Sequence, residues 1–271
     1  MPESIQRILT ALAGAPIVIG LVYLGSWPLT LLVGAAALFG QREIYRLLRQ
    51  DGLRPAAPVG YLLGGLLVFV PIWPEAGRVA VVVALLALGL VPFRGDEHPL
   101  RSAAAALFGV LYPPVLLSSV LYLRIGAGLA LGELNAFFLT TLTLVLVWVA
   151  DIGAYYAGKA VGKHPLAPTI SPNKTWEGFF GGIAATLVVA SGASAVGFAV
   201  LSLTSVVGLA LVCAVTSPIG DLLESRFKRS VHVKDAGKIL PGHGGMMDRI
   251  DGLIYAVPIA VLYLRYVVGL W

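Results

Sequence analysis

The chain has one cysteine. Cys213 has no partner for an intramolecular disulfide, and the apolar run around it holds nothing that would make its thiol reactive. Charge is scarce as well. Asp, Glu, Lys and Arg make up 12% of the 271 residues, against roughly 25% in soluble domains, which excludes an ordinary soluble domain. No His/Cys/Glu spacing suits zinc. The GxxxxGK[ST] phosphate loop and the GxSxG nucleophile elbow are both missing. No basic groove is interleaved with aromatics, so nucleic acid is not expected as a partner.

What is present is apolar. Hydrophobic residues make up 58% of the chain, and runs of nearly membrane-spanning length recur from end to end. Strand-like alternation is missing, so the spans are helices rather than barrel strands. The 32 glycines sit within apolar runs, as close helix packing in lipid requires. The runs cover about 8–24, 28–44, 59–72, 79–93, 103–123, 136–156, 179–201, 205–223 and 253–270. The expected fold is therefore all-α, a polytopic integral membrane helix bundle with about nine transmembrane helices, forming one membrane-embedded domain over 1–271. Pro113–Pro114 should interrupt the fifth run. With nine spans, 16 of the 19 Lys/Arg fall on one side, leaving Arg78, Arg124 and Arg265 on the other. Positive loops stay cytoplasmic, which places the N-terminus and the basic loops there. Twelve of the 14 acids share that side. Acids contribute little to topology, so their gathering needs a separate reason.

Residues 221–252, DLLESRFKRSVHVKDAGKILPGHGGMMDRIDG, form the longest polar passage. Asp221, Glu224, Ser225 and Lys228 share a helical face by spacing, and Asp248 and Asp251 share another if DRIDG is helical. Mg²⁺ is held by one or two carboxylates together with waters and phosphate oxygens. Lys228, Arg229, Lys234 and Arg249 would neutralise a polyphosphate, while Gly242, Gly244 and Gly245 would let backbone N–H groups approach it. The plainer alternative is a juxtamembrane basic loop drawn to anionic lipid heads.

SPNKTWEG (171–178) is a second candidate. Thr175 or Asn173 would cap the helix that follows, and Lys174 beside a helix N-terminus points to a bound anion; a plain helix cap is the alternative. Asp151 lies near the end of an apolar run, where an acid is costly and functional by default, unless it simply pairs with Lys159 or Lys163. For His232 and His243, a hydrogen-bonded loop residue is as good a reading as a catalytic one.

The run 225–251 resembles the signature of the phosphatidate cytidylyltransferase (CDP-diacylglycerol synthase) family. The matching positions are Ser225, Lys228, Arg229, Lys234, Asp235, His243, Gly244, Gly245, Asp248, Arg249 and Asp251. SPNKTWEG and the Asp151, Ala154, Tyr155, Gly158 pattern are also similar to that family. The resemblance covers the C-terminal half, so 126–271 is expected to be the catalytic half and 1–125 the N-terminal spans.

The resemblance implies Mg²⁺-dependent transfer of CMP from CTP to phosphatidic acid, giving CDP-diacylglycerol and pyrophosphate, in a homodimer among the lipids of the bacterial inner membrane, with the site facing the cytoplasm. It implies metal at Asp221 and Asp248, with Asp251 as a further ligand or a partner of the ligands. Lys228 and Arg249 join these acids in catalysis. Ser171, Lys174, Thr175, Ser225, Arg229, Lys234, His243, Gly244 and Gly245 are the substrate-binding candidates. Transfer should be direct, because neither Cys213 nor any serine is placed as a nucleophile and His243 has no evident orienting partner. Two rivals stay open: another CTP-dependent lipid enzyme (a polyprenol kinase or an archaeal-lipid cytidylyltransferase), or a transporter or lipid scaffold without catalysis.

Overall fold

The computed structural model describes residues 3–89, 98–237 and 244–271. Among these are ten α-helices and two short strands. The chain divides into two compact units, Met1–Leu121 with Ser230–Ile250, and Tyr122–Arg229 with Asp251–Trp271.

The first unit contains α1 (Glu3–Leu24), α2 (Ser26–Gln50), α3 (Ala57–Val68), α4 (Pro74–Gly89) and α5 (Pro99–Val110). Leu29, Val33, Ala37, Gly40, Ile44 and Tyr45 recur at helical spacing and form the buried face of α2. That helix packs against α1, α3 and α5. Tyr45 is fully buried and its polar group is satisfied. Its hydroxyl donates to the Ala106 carbonyl at 2.8 Å and accepts from Gln41 Nε2 at 2.9 Å, while Gln41 Nε2 also donates to Gly60 O at 2.8 Å. Gly60 and Gly109 leave room for the ring, since a Cβ at either would overlap it. Pro113–Pro114 does interrupt the helix. Leu111–Val115 is a π-helical turn, as expected where two successive residues lack an N–H donor.

The second unit contains most of α6 (Ser119–Leu131), then α7 (Glu133–Val161), an antiparallel hairpin of β1 (Pro165–Ala167) and β2 (Ser171–Thr175), α8 (Trp176–Ala195), α9 (Leu203–Ser230) and most of α10 (Met247–Tyr266). At the α6–α7 corner Gly132 has φ +82°, and Arg124 reaches Glu133 at 2.8 Å. Small residues let α7 and α8 approach backbone to backbone. A Cβ on Gly182 would lie 2.6 Å from Ala150 O, and one on Gly178 2.7 Å from Ala154 O. At such a crossing in lipid, close van der Waals packing holds the helices together.

Four helical segments among the described residues are long and apolar enough to cross a membrane: Pro99–Leu131, Glu133–Val161, Trp176–Ala195 and Leu203–Ser230. Gly14–Leu24, Ala57–Val68 and Val79–Gly89 are shorter apolar helices. The chain is an all-α membrane protein.

Candidate active site

The polar passage starts as helix. α9 runs to Ser230, so Asp221, Glu224, Ser225 and Lys228 lie along its last turns. There they bond to one another as their spacing anticipates: Ser225 Oγ donates to Asp221 Oδ1 at 3.3 Å, and Lys228 Nζ meets Glu224 Oε2 at 2.5 Å. Lys228 and Arg229 in the last turn also complement the negative end of the helix dipole. Glu224 is 0% and Lys228 8% exposed, a buried pair.

α10 brings the third acid. α9 crosses it at Gly220, where a Cβ would overlap the Asp251 carbonyl oxygen. A glycine one residue before Asp221 thus permits the approach that sets Asp221 beside Asp251. Carboxylate oxygens of Asp221, Glu224 and Asp251 all lie within 4.8 Å of one another. One turn earlier on α9, Ser217 Oγ donates to Asp151 Oδ1 at 3.0 Å, and Gly252 packs against both side chains. Asp151 lies within electrostatic range of Asp221, Asp251 and Lys174. Lys174, on β2, forms an ion pair with Asp221.

Among the described residues named here, the four carboxylates Asp151, Asp221, Glu224 and Asp251 gather with Lys174 and Lys228, an excess of acid over base. Asp251 bears much of it. It stands just before the apolar run that starts at Leu253, where burial, then Asp221, Glu224 and Asp151, push its carboxyl well above the usual carboxylate range, against a lowering bond from the Gly252 N–H. Three clustered oxygen donors with surplus negative charge suit a hard divalent cation, for which oxygen ligands are preferred. The donor set fits a metal of that class.

Before α8 the chain forms an antiparallel hairpin, where the sequence points only to a turn. Ser171 opens β2, and Thr175 is the N-cap of α8, its Oγ1 accepting the Gly178 N–H at 3.1 Å. Glu177 ties the base of the hairpin, accepting from Lys163 N at 3.1 Å and His164 N at 3.2 Å, and meeting His164 Nδ1 at 2.5 Å. This anchoring fixes the strand that carries Lys174.

The remaining candidates belong to the first unit. Lys234 and Arg249 are exposed. Gly244 takes φ +77°, a left-handed conformation suited to glycine. The Gly245 N–H donates to Asp248 Oδ2 at 2.9 Å, and Asp248 opens the first turn of α10. His243, like Lys238 and Gly242, lies outside the described residues. The second unit therefore brings together Asp221, Glu224, Asp251, Lys174, Lys228 and Ser225, and adds Asp151 and Ser217. Spacing groups Glu224 with Asp221 but does not place it among the ligands, and Ser217 carries no signal beyond a polar residue in an apolar run.

The model of the cytidylyltransferase family matches residues 5–267. The chain is 33% identical over 276 residues to the phosphatidate cytidylyltransferase of Bacillus subtilis, covering 95% of this chain and 96% of the relative. Identity to the enzyme of that name from Pseudomonas aeruginosa is 35% over 260 residues, 94% of each chain. For the Synechocystis protein of the same name it is 31% over 282 residues, 95% of each chain.

Proposed function

This chain belongs to the cytidylyltransferase family, and from that premise we infer that it transfers CMP from CTP to phosphatidic acid, releasing pyrophosphate and forming CDP-diacylglycerol. The observation that carries the reading is similarity along nearly the whole chain to proteins of that activity, joined to a carboxylate and lysine cluster suited to a metal-bound polyphosphate.

Asp221, Glu224 and Asp251 hold Mg²⁺ in this reading, and the resemblance adds Asp248. When bound, the ion offsets charge on the triphosphate and on departing pyrophosphate. The protein's own residues do the rest. Lys174 and Lys228, each held by a carboxylate, are positioned to exchange part of that pairing for phosphate oxygens as substrate enters. Ser225, Ser171 and Thr175 supply hydroxyls, and the resemblance implies that Arg229, Lys234, Arg249, His243, Gly244 and Gly245 also bind substrate. Phosphatidate already carries an anionic oxygen, so its attack on the α-phosphorus of CTP needs two anions brought together rather than a protein nucleophile. The α-phosphorus–oxygen bond to pyrophosphate breaks as the new phosphoanhydride forms.

The same reading sets the chain in the bacterial inner membrane as about nine spans and a homodimer, with these residues facing the cytoplasm, where CTP is available. Purified protein incubated with CTP labelled at the α-phosphate, phosphatidate and Mg²⁺ should yield a lipid-soluble cytidine product. Label passing to lipid from the γ-phosphate instead would mean a kinase. Label passing only to a polyprenyl or ether-linked acceptor would replace phosphatidate as the substrate.

A further inference from the structure

Glu43 lies on α2, in the first unit, and is 2% exposed. Its two carboxylate oxygens accept successive backbone N–H groups at the start of α10, Met246 at 3.0 Å and Met247 at 2.8 Å. Two glycines press against the same carboxylate. A Cβ on Gly245 would come within 2.7 Å of Oε2, and one on Gly237 would overlap Oε1. The Gly245 N–H is meanwhile turned to Asp248 Oδ2. One buried carboxylate thus sets the backbone at 237 and 245–247, and through it the residue that opens α10.

A simple brace between two elements does not call for a charge. Apolar side chains of similar volume usually hold as well and avoid the cost of desolvating an anion. A carboxylate supplies a fork of two acceptors that fixes direction as well as distance, and its charge suits the positive end of α10.

The geometry points to Glu43 as a positioning residue for the proposed transfer: by clamping the first turn of α10 it sets the direction in which Asp248 presents its carboxylate. The inference rests on the functional reading above, in which Asp248 is a metal ligand. Glu43 is assigned no contact with metal or substrate. It acts through the backbone of Met246 and Met247 and through the close seating of Gly245.

The test uses the full-length protein in detergent and follows Mn²⁺ binding by electron paramagnetic resonance, alongside CMP transfer as a function of Mg²⁺. Glu43→Gln keeps the size and one acceptor oxygen but turns an amide toward the second N–H. Per folded molecule it should bind Mn²⁺ about tenfold more weakly, the scale of one charge-assisted hydrogen bond. The Mg²⁺ needed for half-maximal rate should rise in step, while KM for phosphatidate stays put. Glu43→Asp restores the charge and should recover most of the loss. Wild-type Mn²⁺ affinity in the folded Glu43→Gln protein overturns the proposal, whatever that variant's stability. If Glu43→Gln does not fold, Gly237→Ala, whose Cβ would displace the Glu43 carboxylate, is titrated in its place, and wild-type Mn²⁺ affinity in that variant overturns the proposal equally. A wild-type protein that transfers no CMP refutes the functional reading, and the Mn²⁺ titration still decides the role of Glu43.

Discussion

Asp221 and Glu224 each have a lysine partner, while Asp251 is surrounded by carboxylates. Asp251→Asn should therefore act in opposite directions on activity and stability. Turnover should fall by roughly 10²-fold or more, the scale on which an electrostatic stabiliser acts. Melting temperature, measured in a chelator, should rise by about 2–4 °C, the shift that about 1 kcal/mol produces in a chain of this size. The pH dependence gives a second check. A folded-state pKa above the ordinary 3.8 means that stability is full below that value and is lost as pH rises toward the raised one. In the variant that loss should flatten. Asp221→Asn should lower turnover as severely without the gain in stability, since it strands Lys174. Asp221 and Asp251 were legible as candidates because acids at the ends of apolar runs are conspicuous. Glu43 was not. It stands in QREIYR, where Arg42 and Arg46 share the exposed face, and the only local clue is that Glu43 falls off that face. Its partners lie 203 and 204 residues away, beyond the reach of any spacing argument.

Helices meet in this protein where side chains are smallest, and the α7–α8 crossing makes that testable within one helix. Gly182→Val would drive its side chain into Ala150 O, whereas Gly192 has nothing within 4 Å of an added Cβ. Gly182→Val should destabilise by about 1–3 kcal/mol, as overpacking does, or separate the helices outright. Gly192→Ala should be neutral or stabilise slightly through helix propensity. Thermal unfolding in detergent reads both, and equal effects at the two positions would refute the crossing. Sequence patterning located the long apolar helices well because a span must satisfy its own backbone. The hairpin of β1 and β2 escaped it. Its strands are three and five residues long, too short to show a period, and its anchorage depends on Glu177 reaching back to Lys163 and His164.

For the whole molecule the distribution of basic residues makes the sharpest claim. With 16 of 19 on one side, the passage following α9 should be cytoplasmic and the α6–α7 corner external. On a Cys213→Ser background, Asp235→Cys should resist an impermeant thiol reagent added to intact cells and react after permeabilisation. Leu134→Cys, 59% exposed beside that corner, should react without permeabilisation. The reverse pattern would invert the topology and place the carboxylate cluster where CTP is absent. The number of crossings was the least legible feature, since short apolar helices such as α3 and α4 match a buried core helix as well as a span.

The clamp on α10 also sets a schedule for biosynthesis. Glu43 emerges from the ribosome 203 residues before Met246, so at 5–20 residues per second roughly 10–40 s pass before its hydrogen-bond donors exist. During that interval α2 is in place with its acid unsatisfied, and the first unit still lacks the segment Ser230–Ile250 that completes it. The unit begun first is thus not complete until Ile250, after most of the other unit has been made. A nascent chain that ends after α9 has made Glu43 but not the Met246 and Met247 N–H groups it holds, so the first unit closes only once synthesis has passed α9.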